Sequence, residues 1–269
     1  MGLEVRIKKK LGNFQLDVSF TCDNTVTAIL GPSGCGKSMT LKCIAGVETP
    51  DEGRIVLNDR VLFDSEKKIN LPPQKRHVGY MFQDYALFPN MTVRQNIEIA
   101  LGGKKVDEMV FQRFHLSHVT ELYPAQLSGG QKQRTAMARM LVTEPELIML
   151  DEPFSALDAD LKGQIEKEVK QILQAENKPT LFVSHDRDEV NRLCQYTGVM
   201  ADGMLEGVDK TNVASISQCR NKTKAVRVDT YKVFLPELGI EIETSQPVPW
   251  QEGYIGVKTE DLLFLEDKE

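Results

Sequence analysis

Apolar and polar positions along the first part of the chain predict strands and helices in alternation. Residues Asn13 to Phe20 carry apolar side chains at every second position, which is typical of a strand with one buried face. The uninterrupted apolar run Val26 to Leu30 is typical of a strand that is buried on both faces. Met39 to Ala45 then shows helical spacing, so a strand, a glycine-containing loop and a helix are predicted in that order.

The alternation continues to about residue 208. Short strands are predicted at Arg54 to Leu57 and Val61 to Phe63, and the stretch from about Asn90 to Thr120 is predicted to be a helical insert. The next predicted elements are a buried strand at Leu147 to Leu150, an amphipathic helix at Leu161 to Ala175, a buried strand at Leu181 to Val183 and a strand at Thr197 to Ala201. This order favours an α/β fold with mostly parallel strands.

The pattern changes near Val208, where helical spacing stops. Alternating segments at Ala225 to Val228 and Tyr254 to Val257 indicate a small β-rich appendix. We therefore predict two domains, residues 1–208 with a helical subdomain at about 90–142, and residues 209–269.

Composition and charge narrow the class of protein. The chain has 269 residues, of which 41% are hydrophobic, and this suffices for a substantial core. The net charge of −6 argues against a nucleic-acid partner, and the basic clusters Lys8 to Lys10 and Lys75-Arg76 are predicted to be solvated. No apolar run approaches the roughly 20 residues of a membrane-spanning helix, and the charged N-terminal segment is unlike a signal peptide. We expect a soluble, cytoplasmic protein.

Cysteine and histidine spacing does not indicate a metal site. The five cysteines form no C-x-x-C pair, so neither a zinc site nor a disulfide framework is predicted. His115 and His118 have a spacing that could suit a metal, but they lack a second ligand pair and are predicted to be ordinary surface residues.

The octet after the first buried strand is the most specific feature of the chain. It reads Gly-Pro-Ser-Gly-Cys-Gly-Lys-Ser and fits the pattern G-x-x-x-x-G-K-[ST], in which backbone N–H groups surround phosphate oxygens. Lys37 would reach toward the β- and γ-phosphates, and the Ser38 hydroxyl would ligate Mg²⁺. A glycine-rich turn with an incidental lysine is the alternative, which the flanking strand and helix disfavour. The predicted nucleotide-binding residues are Gly31, Pro32, Ser33, Gly34, Cys35, Gly36, Lys37, Ser38 and Met39.

Two acidic residues follow the buried strand at Leu147 to Leu150. In a P-loop enzyme, an acid at the end of such a strand holds Mg²⁺ directly or through water, and a following carboxylate can orient or deprotonate the attacking water. We assign Asp151 to the metal and Glu152 to the water. A strand that merely ends in polar residues is the alternative, and the preceding phosphate loop disfavours it.

A third motif, Leu127 to Gln131, begins a predicted helix with Ser128 as its N-cap. This Leu-Ser-Gly-Gly-Gln motif resembles the signature sequence of ABC-type ATPases. The resemblance extends, in the family's order, to Gln83 of the Q-loop, Asp158 of the D-loop and His185, the switch histidine, and it covers residues 3 to about 208. It implies the α/β P-loop NTPase fold of ABC type, with a helical subdomain and a short β-rich C-terminal appendix.

The resemblance also implies a head-to-tail homodimer in the ATP-bound state. Each ATP would lie between the phosphate loop of one chain and the signature helix of the other, where Ser128 and Gly130 would contact the γ-phosphate. The other implied roles are water activation for Glu152, γ-phosphate geometry for His185, communication between the two sites for Asp158, and a link from Mg²⁺ to a moving partner for Gln83.

The aromatic residue on which many family members stack adenine has no direct counterpart. The alignment places Leu11 at that position. Phe14 is nearby, but it belongs to an alternating apolar face and is predicted to be a core residue.

Residues 62–89 resemble ATPase subunits of bacterial importers, in particular the molybdate/tungstate and sulfate type. This implies ATP hydrolysis that powers a separate membrane permease dimer. An extracytoplasmic solute-binding protein would deliver the solute to that permease. It also implies a peripheral location on the cytoplasmic face of the membrane. Importers of sulfate, ferric iron, polyamines or sugars, and a non-transport ABC ATPase, are the alternatives.

The appendix leaves two interpretations open. Residues Gly253 to Leu262 resemble part of a β-barrel regulatory domain of such subunits, which would suit an oxyanion. An appendix that only stabilises the dimer is the alternative.

Overall fold

The computed structural model describes residues 2–155, 157, 159–211, 222–229, 232–235, 240–243 and 252–256. The chain divides into two compact units, Met1–Asn212 and Val213–Glu269. The sequence-based boundary lies after residue 208.

The first unit alternates strands and helices. Its strands are β1 (Leu3–Leu11), β2 (Phe14–Cys22), β3 (Val26–Leu30), β4 (Glu52–Leu57), β5 (Arg60–Asp64), β6 (Ile69–Asn70), β7 (Val78–Met81), β8 (Leu147–Asp151), β9 (Thr180–Ser184), β10 (Tyr196–Ala201) and β11 (Met204–Lys210). Its α-helices are α1 (Lys37–Ala45), α2 (Val93–Glu98), α3 (Glu108–Arg113), α4 (Gly129–Leu141), α5 (Ala159–Glu176) and α6 (Arg187–Leu193). Short 3-10 helices span Pro73–Lys75, Ile99–Leu101 and Pro124–Gln126.

These strands form one mixed sheet in the order β6-β5-β4-β1-β2-β11-β10-β3-β9-β8-β7. The strands from β10 to β7 in this order are parallel, as predicted. The prediction of mostly parallel strands is wrong for the other half, because β1 pairs antiparallel with β2 and β4, and β4 with β5. The β1–β2 and β4–β5 connections are two-residue turns, and a turn that short can only join antiparallel neighbours.

The central parallel strands separate two apolar cores. All residues of β3, β8 and β9 are buried, and alternate side chains of a strand point to opposite faces. Ala28 and Leu30 therefore join the core that contains residues of α4, α5 and α6, whereas Ile29 joins the core that contains residues of α1, β1 and β2. This burial fixes where the carboxyl ends of the strands emerge.

The prediction that Lys75 and Arg76 are both solvated is wrong for Arg76. Its neighbour Lys75 is exposed, but the Arg76 side chain is fully buried. The guanidinium donates hydrogen bonds to the carbonyl oxygens of Cys43 (2.9 Å) and Ile44 (2.8 Å), at the end of α1. Carbonyls in the last turn of a helix have no partner inside the helix, and Arg76 supplies one. It thereby anchors the far end of the helix that begins at Lys37.

The described part of the second unit contains four antiparallel strands, β12 (Lys222–Asp229), β13 (Lys232–Leu235), β14 (Ile240–Glu243) and β15 (Glu252–Gly256). Their order is β14-β13-β12-β15. The strands coincide with the alternating segments at 225–228 and 254–256. The rest of the segment that resembles a regulatory domain, residues 257–262, lies outside the described residues.

In the described ranges, no helix is both long enough and apolar enough to cross a bilayer. The same ranges contain no group of three or more His, Cys, Asp or Glu side chains that could hold a metal ion by themselves. His115 and His118 are exposed, as predicted.

Candidate nucleotide-binding site

The glycine-rich octet forms a tight loop between β3 and α1. A Cβ atom at Gly31 would lie 2.3 Å from the Met200 carbonyl oxygen, so the approach of the loop to β10 requires glycine. Gly36 precedes α1 with a φ of 111°, a conformation that glycine adopts without strain. No side chain caps this end of α1. Its first backbone N–H groups, together with the positive end of the helix dipole, are therefore available to an anion.

Lys37, the first residue of α1, places a positive charge inside this loop. Its side chain is 4% exposed, and its Nζ donates hydrogen bonds to the carbonyl oxygens of Gly31 (2.7 Å) and Pro32 (2.9 Å). The same Nζ lies 3.7 Å from Oε1 of Glu152. The ammonium group is thus held at the loop, beside the predicted catalytic carboxylate.

Asp151 ends β8 and has a partner for each carboxylate oxygen. Ser38 donates its hydroxyl hydrogen to Oδ1 and Tyr80 donates its phenol hydrogen to Oδ2, both at 2.9 Å. Burial raises the pKa of Asp151 above its ordinary value, and the two hydrogen bonds act in the opposite direction. Ser38 and Asp151 offer hard oxygen atoms next to the phosphate loop, a donor set that fits Mg²⁺.

Glu152 is the point where the predicted catalytic residues meet. Its Oε2 lies 3.3 Å from Nδ1 of His185, which follows β9, and 3.3 Å from Nε2 of Gln83, which follows β7. Its backbone N–H donates to the Val183 carbonyl oxygen at 3.0 Å. Glu152 has a φ of 45°, a left-handed conformation that is rare for this residue type. The strained backbone directs the side chain into the cluster instead of along the strand.

A cleft of about 430 Å³ opens beside this cluster. Its lining includes the predicted loop residues Ser33, Gly34, Gly36, Lys37, Ser38 and Met39, as well as Gln83 and Glu152. Leu11 and Phe14 line the same cleft, and Phe14 also packs against the apolar core, as predicted. Cys35 belongs to that core and is 5% exposed, so the octet presents its backbone there and not the thiol.

The signature residues lie elsewhere in the chain. Ser128 caps α4, where its Oγ accepts from the Gln131 N–H (3.3 Å) and its own N–H donates to the Gln131 side chain (2.9 Å). Among the described residues that line the cleft, neither Ser128 nor Gly130 occurs. Asp158 lies outside the described residues. The segment before it is tied to the cluster, since the Ser155 hydroxyl donates to the Glu152 carbonyl oxygen at 2.9 Å.

Reasoning from the sequence missed Tyr80 and Arg139. Tyr80 precedes Gln83 on a short strand, and only the parallel pairing of β7 with β8 shows that it reaches Asp151. Arg139 lies on α4 and donates to the carbonyl oxygens of Tyr85 and Ala86, both at 2.8 Å. The position of Tyr80 in the Tyr-Met-Phe-Gln-Asp run was the available signal for the first, and the sequence carries no local signal for the second.

Three comparisons relate the chain to known proteins. The family described as ABC transporter matches residues 16–155. The Molybdenum import ATP-binding protein ModC of Aliivibrio fischeri is 40% identical over 206 residues, which are 76% of this chain and 57% of that protein. The Molybdate/tungstate import ATP-binding protein WtpC of Archaeoglobus fulgidus is 38% identical over 228 residues, 82% of this chain and 91% of that protein. The chain therefore spans just over half of the first relative and nearly all of the second.

Two solved structures are also similar. One is a dimeric ATP-binding cassette in a post-hydrolysis state with ADP and Pi, and the other is a dimeric bacterial ABC transporter cassette. Each superposes with a TM-score of 0.65 at 25% identity and covers 79% of this chain and 99% of its own.

Proposed function

This chain belongs to the ABC transporter family, and we propose that it hydrolyses ATP as the energy-supplying subunit of a solute importer. The observation that carries this proposal is the Glu152 carboxylate, which faces Lys37, His185 and Gln83 at the mouth of the phosphate loop.

Phosphate binding comes first in the proposed cycle. The uncapped N-terminus of α1 offers backbone N–H groups to the β- and γ-phosphates, and Lys37 adds a side-chain cation. Leu11 and Phe14 form an apolar wall of the same cleft, which suits the adenine ring. The Lys37 ammonium is already held inside the loop by its hydrogen bonds to the Gly31 and Pro32 carbonyl oxygens.

Ser38 and Asp151, which are hydrogen-bonded to each other, would hold Mg²⁺, and Gln83 lines the cleft together with Ser38. When bound, Mg²⁺ would neutralise charge that develops on the phosphate oxygens. The protein's own contribution is to keep the two oxygen donors 2.9 Å apart and turned toward the loop.

Glu152 would act as the general base. Its carboxylate would accept a proton from the attacking water, while His185 and Gln83, each 3.3 Å from Oε2, hold the carboxylate in one orientation. Because Oε2 would be held by two partners, the proton acceptor would keep a fixed position relative to the bound phosphate.

One chain contains only half of each proposed site. Ser128 and Gly130 do not line the cleft formed by the described residues of their own chain, and the two similar cassettes are dimeric. We therefore propose an ATP-bound homodimer in which the signature helix α4 of one chain covers the phosphate loop of the other. Asp158 would communicate between the two sites.

We propose molybdate or tungstate as the solute, because relatives at 38% to 40% identity bear these names. Importers of sulfate, ferric iron, polyamines or sugars remain the alternative class. A separate permease dimer would carry the solute after delivery by an extracytoplasmic binding protein, and this chain would sit peripherally on the cytoplasmic face. Phe88, 47% exposed just after the Q-loop, is a suitable apolar contact for the permease.

The proposal is tested with the chain reconstituted in liposomes with its permease. Glu152→Gln should retain ATP binding and lose hydrolysis by on the order of a hundredfold, because a positioned base is removed. Glu144→Gln, a change at an exposed glutamate, is the matched control and should hydrolyse normally.

The solute is tested in the same liposomes. Binding protein loaded with molybdate or tungstate should stimulate phosphate release, whereas the empty form should not. Normal turnover by Glu152→Gln would refute the catalytic assignment. Stimulation by sulfate, iron, polyamine or sugar alone would refute the solute and leave the ATPase in place.

A further inference from the structure

We infer that Tyr80 is a positioning residue that makes Asp151 a one-oxygen partner for the metal and so favours Mg²⁺ over Ca²⁺. The inference rests on the proposed nucleotide and metal site.

The geometry around Tyr80 reserves one carboxylate oxygen. Tyr80 lies on β7 opposite Met149 of β8, so its side chain reaches the end of the neighbouring strand. Its phenol donates to Oδ2 of Asp151 at 2.9 Å, and the hydroxyl of Ser38, at the phosphate loop, donates to Oδ1 at the same distance, so Oδ1 is the carboxylate oxygen next to the loop.

The ring of Tyr80 is itself fixed. Its centroid lies 4.2 Å from that of Phe82, with a tilt of 33° between the planes. A phenol on a packed ring cannot swing away at little cost, since rotation would break this contact and leave a buried carboxylate oxygen without its donor. The hydrogen bond to Asp151 therefore persists while the metal is exchanged.

If Asp151 binds the metal through one carboxylate oxygen, the site favours Mg²⁺ over Ca²⁺. Mg²⁺ takes about six ligands in a near-octahedral shell, keeps several waters and is commonly bound by single carboxylate oxygens. Ca²⁺ takes six to eight oxygens and frequently uses both oxygens of one carboxylate. The phenol competes for Oδ2 with a second metal contact from the same carboxylate, so it disfavours the two-oxygen coordination that Ca²⁺ prefers more than the one-oxygen coordination of Mg²⁺.

Two phenol deletions in the same region separate this role from packing. Tyr80→Phe keeps the ring beside Phe82 and removes only the donor to Asp151. Tyr85→Phe is the matched control: Tyr85 is buried, Tyr80 is half-buried, and the Tyr85 phenol donates to the Pro153 carbonyl oxygen (3.2 Å). Each variant loses one phenol hydrogen bond, but only the first changes the surroundings of the proposed metal ligand.

The experiment measures ATP affinity of the full chain by calorimetry while Mg²⁺ or Ca²⁺ is titrated. The wild-type protein, Tyr80→Phe, Tyr85→Phe and Ser38→Ala are compared. Tyr80→Phe should weaken the Mg²⁺-supported affinity by about tenfold, the scale found when an outer partner of a metal ligand is removed. Ca²⁺-supported affinity should fall less or rise, so the Mg²⁺/Ca²⁺ ratio should drop, whereas Tyr85→Phe should keep the wild-type ratio.

The outcomes distinguish this inference from the proposed function. An unchanged Mg²⁺/Ca²⁺ ratio in Tyr80→Phe, with a response to Mg²⁺ that Ser38→Ala loses, would overturn the inference and leave the metal site standing. An equal drop in Tyr85→Phe would also overturn it, because the effect would then be one of packing. Wild-type affinity that ignores both cations, with Ser38→Ala identical to it, would overturn the metal site and the inference together.

Discussion

Glu152 adopts a φ of 45°, which costs a non-glycine residue on the order of 1 kcal/mol or more. Such a conformation persists only where its surroundings hold it, and here the Glu152 N–H donates to Val183 while its carbonyl oxygen accepts from the Ser155 hydroxyl. The carboxylate is then held by side chains from three other segments. At the scale of single residues, backbone strain at one position is what points the proposed base toward the phosphate loop.

Arg76 gives a test at this scale. Arg76→Ala should lower the free energy of unfolding by about 3 kcal/mol, because the carbonyl oxygens of Cys43, Ile44 and Leu71 lose a buried charged donor. Lys75→Ala, next to it and exposed, should change that free energy by less than about 0.5 kcal/mol. Urea unfolding followed by circular dichroism measures both, and equal midpoints for the two variants would contradict the anchoring role.

The residues at this site were predictable to different degrees. Lys37, Ser38, Asp151 and Glu152 follow from local motifs, since each motif carries its own chemistry within a few positions. Arg76 could not be recognised, because a basic pair reads as a solvated surface unless the end of α1 is known to lie beside it. The phenol of Tyr80 and the guanidinium of Arg139 act across strands and helices that are distant in sequence, so only the fold reveals them.

The elements around the Q-loop form a connected unit. Arg139 of α4 donates to the carbonyl oxygens of Tyr85 and Ala86, whose φ angles of 61° and 41° are left-handed. Asn96 of α2 is fully buried, accepts from the Phe88 N–H and donates to the Phe88 and Met91 carbonyl oxygens. Helix α4, which begins at the signature motif, is therefore hydrogen-bonded to the segment that follows Gln83. A movement of α4 would therefore displace the segment after Gln83, and the reverse would also hold.

Arg139 provides the test at the scale of elements. Arg139→Ala should raise amide hydrogen exchange of residues 83–91 by about tenfold, since two hydrogen bonds from a charged donor are lost. Arg134→Ala is the control, because Arg134 lies on the same helix but pairs with Glu168 of α5. If exchange of residues 83–91 also became faster in the control, or did not become faster in Arg139→Ala, Arg139 of α4 would not hold this segment in place.

Sequence periodicity predicted most helices and strands, but it did not predict the direction in which strands pair. The fully apolar strands β3, β8 and β9 were predictable because strands buried on both faces carry no polar positions. The antiparallel half of the sheet was not, because pairing direction depends on how the connection folds and not on the pattern within a strand. The predicted ABC-type fold is confirmed by its similarity to solved cassettes.

At the scale of the whole molecule, the proposed homodimer would divide each nucleotide site between two chains. The phosphate loop and Glu152 line a cleft in one part of the first unit, and Ser128 begins a helix elsewhere in it. The proposed head-to-tail dimer would make two equivalent sites from these halves, each using Lys37 of one chain and Ser128 of the other. This division has a consequence that variants of the two halves can expose.

Mixing two inactive variants should restore activity when their defects lie in different halves. Lys37→Ala and Ser128→Arg should each be inactive alone, but their mixed dimer contains one intact site. A one-to-one mixture should recover about a quarter of wild-type hydrolysis, because half of the dimers are mixed and each has one of two sites.

The control mixture combines Lys37→Ala with Glu152→Gln. Both changes affect the same half, so every site in the mixed dimer is defective and phosphate release should stay at the background. Recovery in this control, or none with Ser128→Arg, would contradict the shared site.

The position of β3 in the sheet also bears on how the protein is made. β3 (Val26–Leu30) lies between β9 (Thr180–Ser184) and β10 (Tyr196–Ala201), and the Gly31 loop packs against the Met200 carbonyl. Synthesis delivers a chain from its N-terminus, so the phosphate loop leaves the ribosome long before either strand that flanks it. A nascent chain that ends before β9 lacks both neighbours of β3 and the carbonyl that shapes the loop. The growing polypeptide therefore cannot capture ATP early, and nucleotide binding becomes a property of a nearly finished first unit.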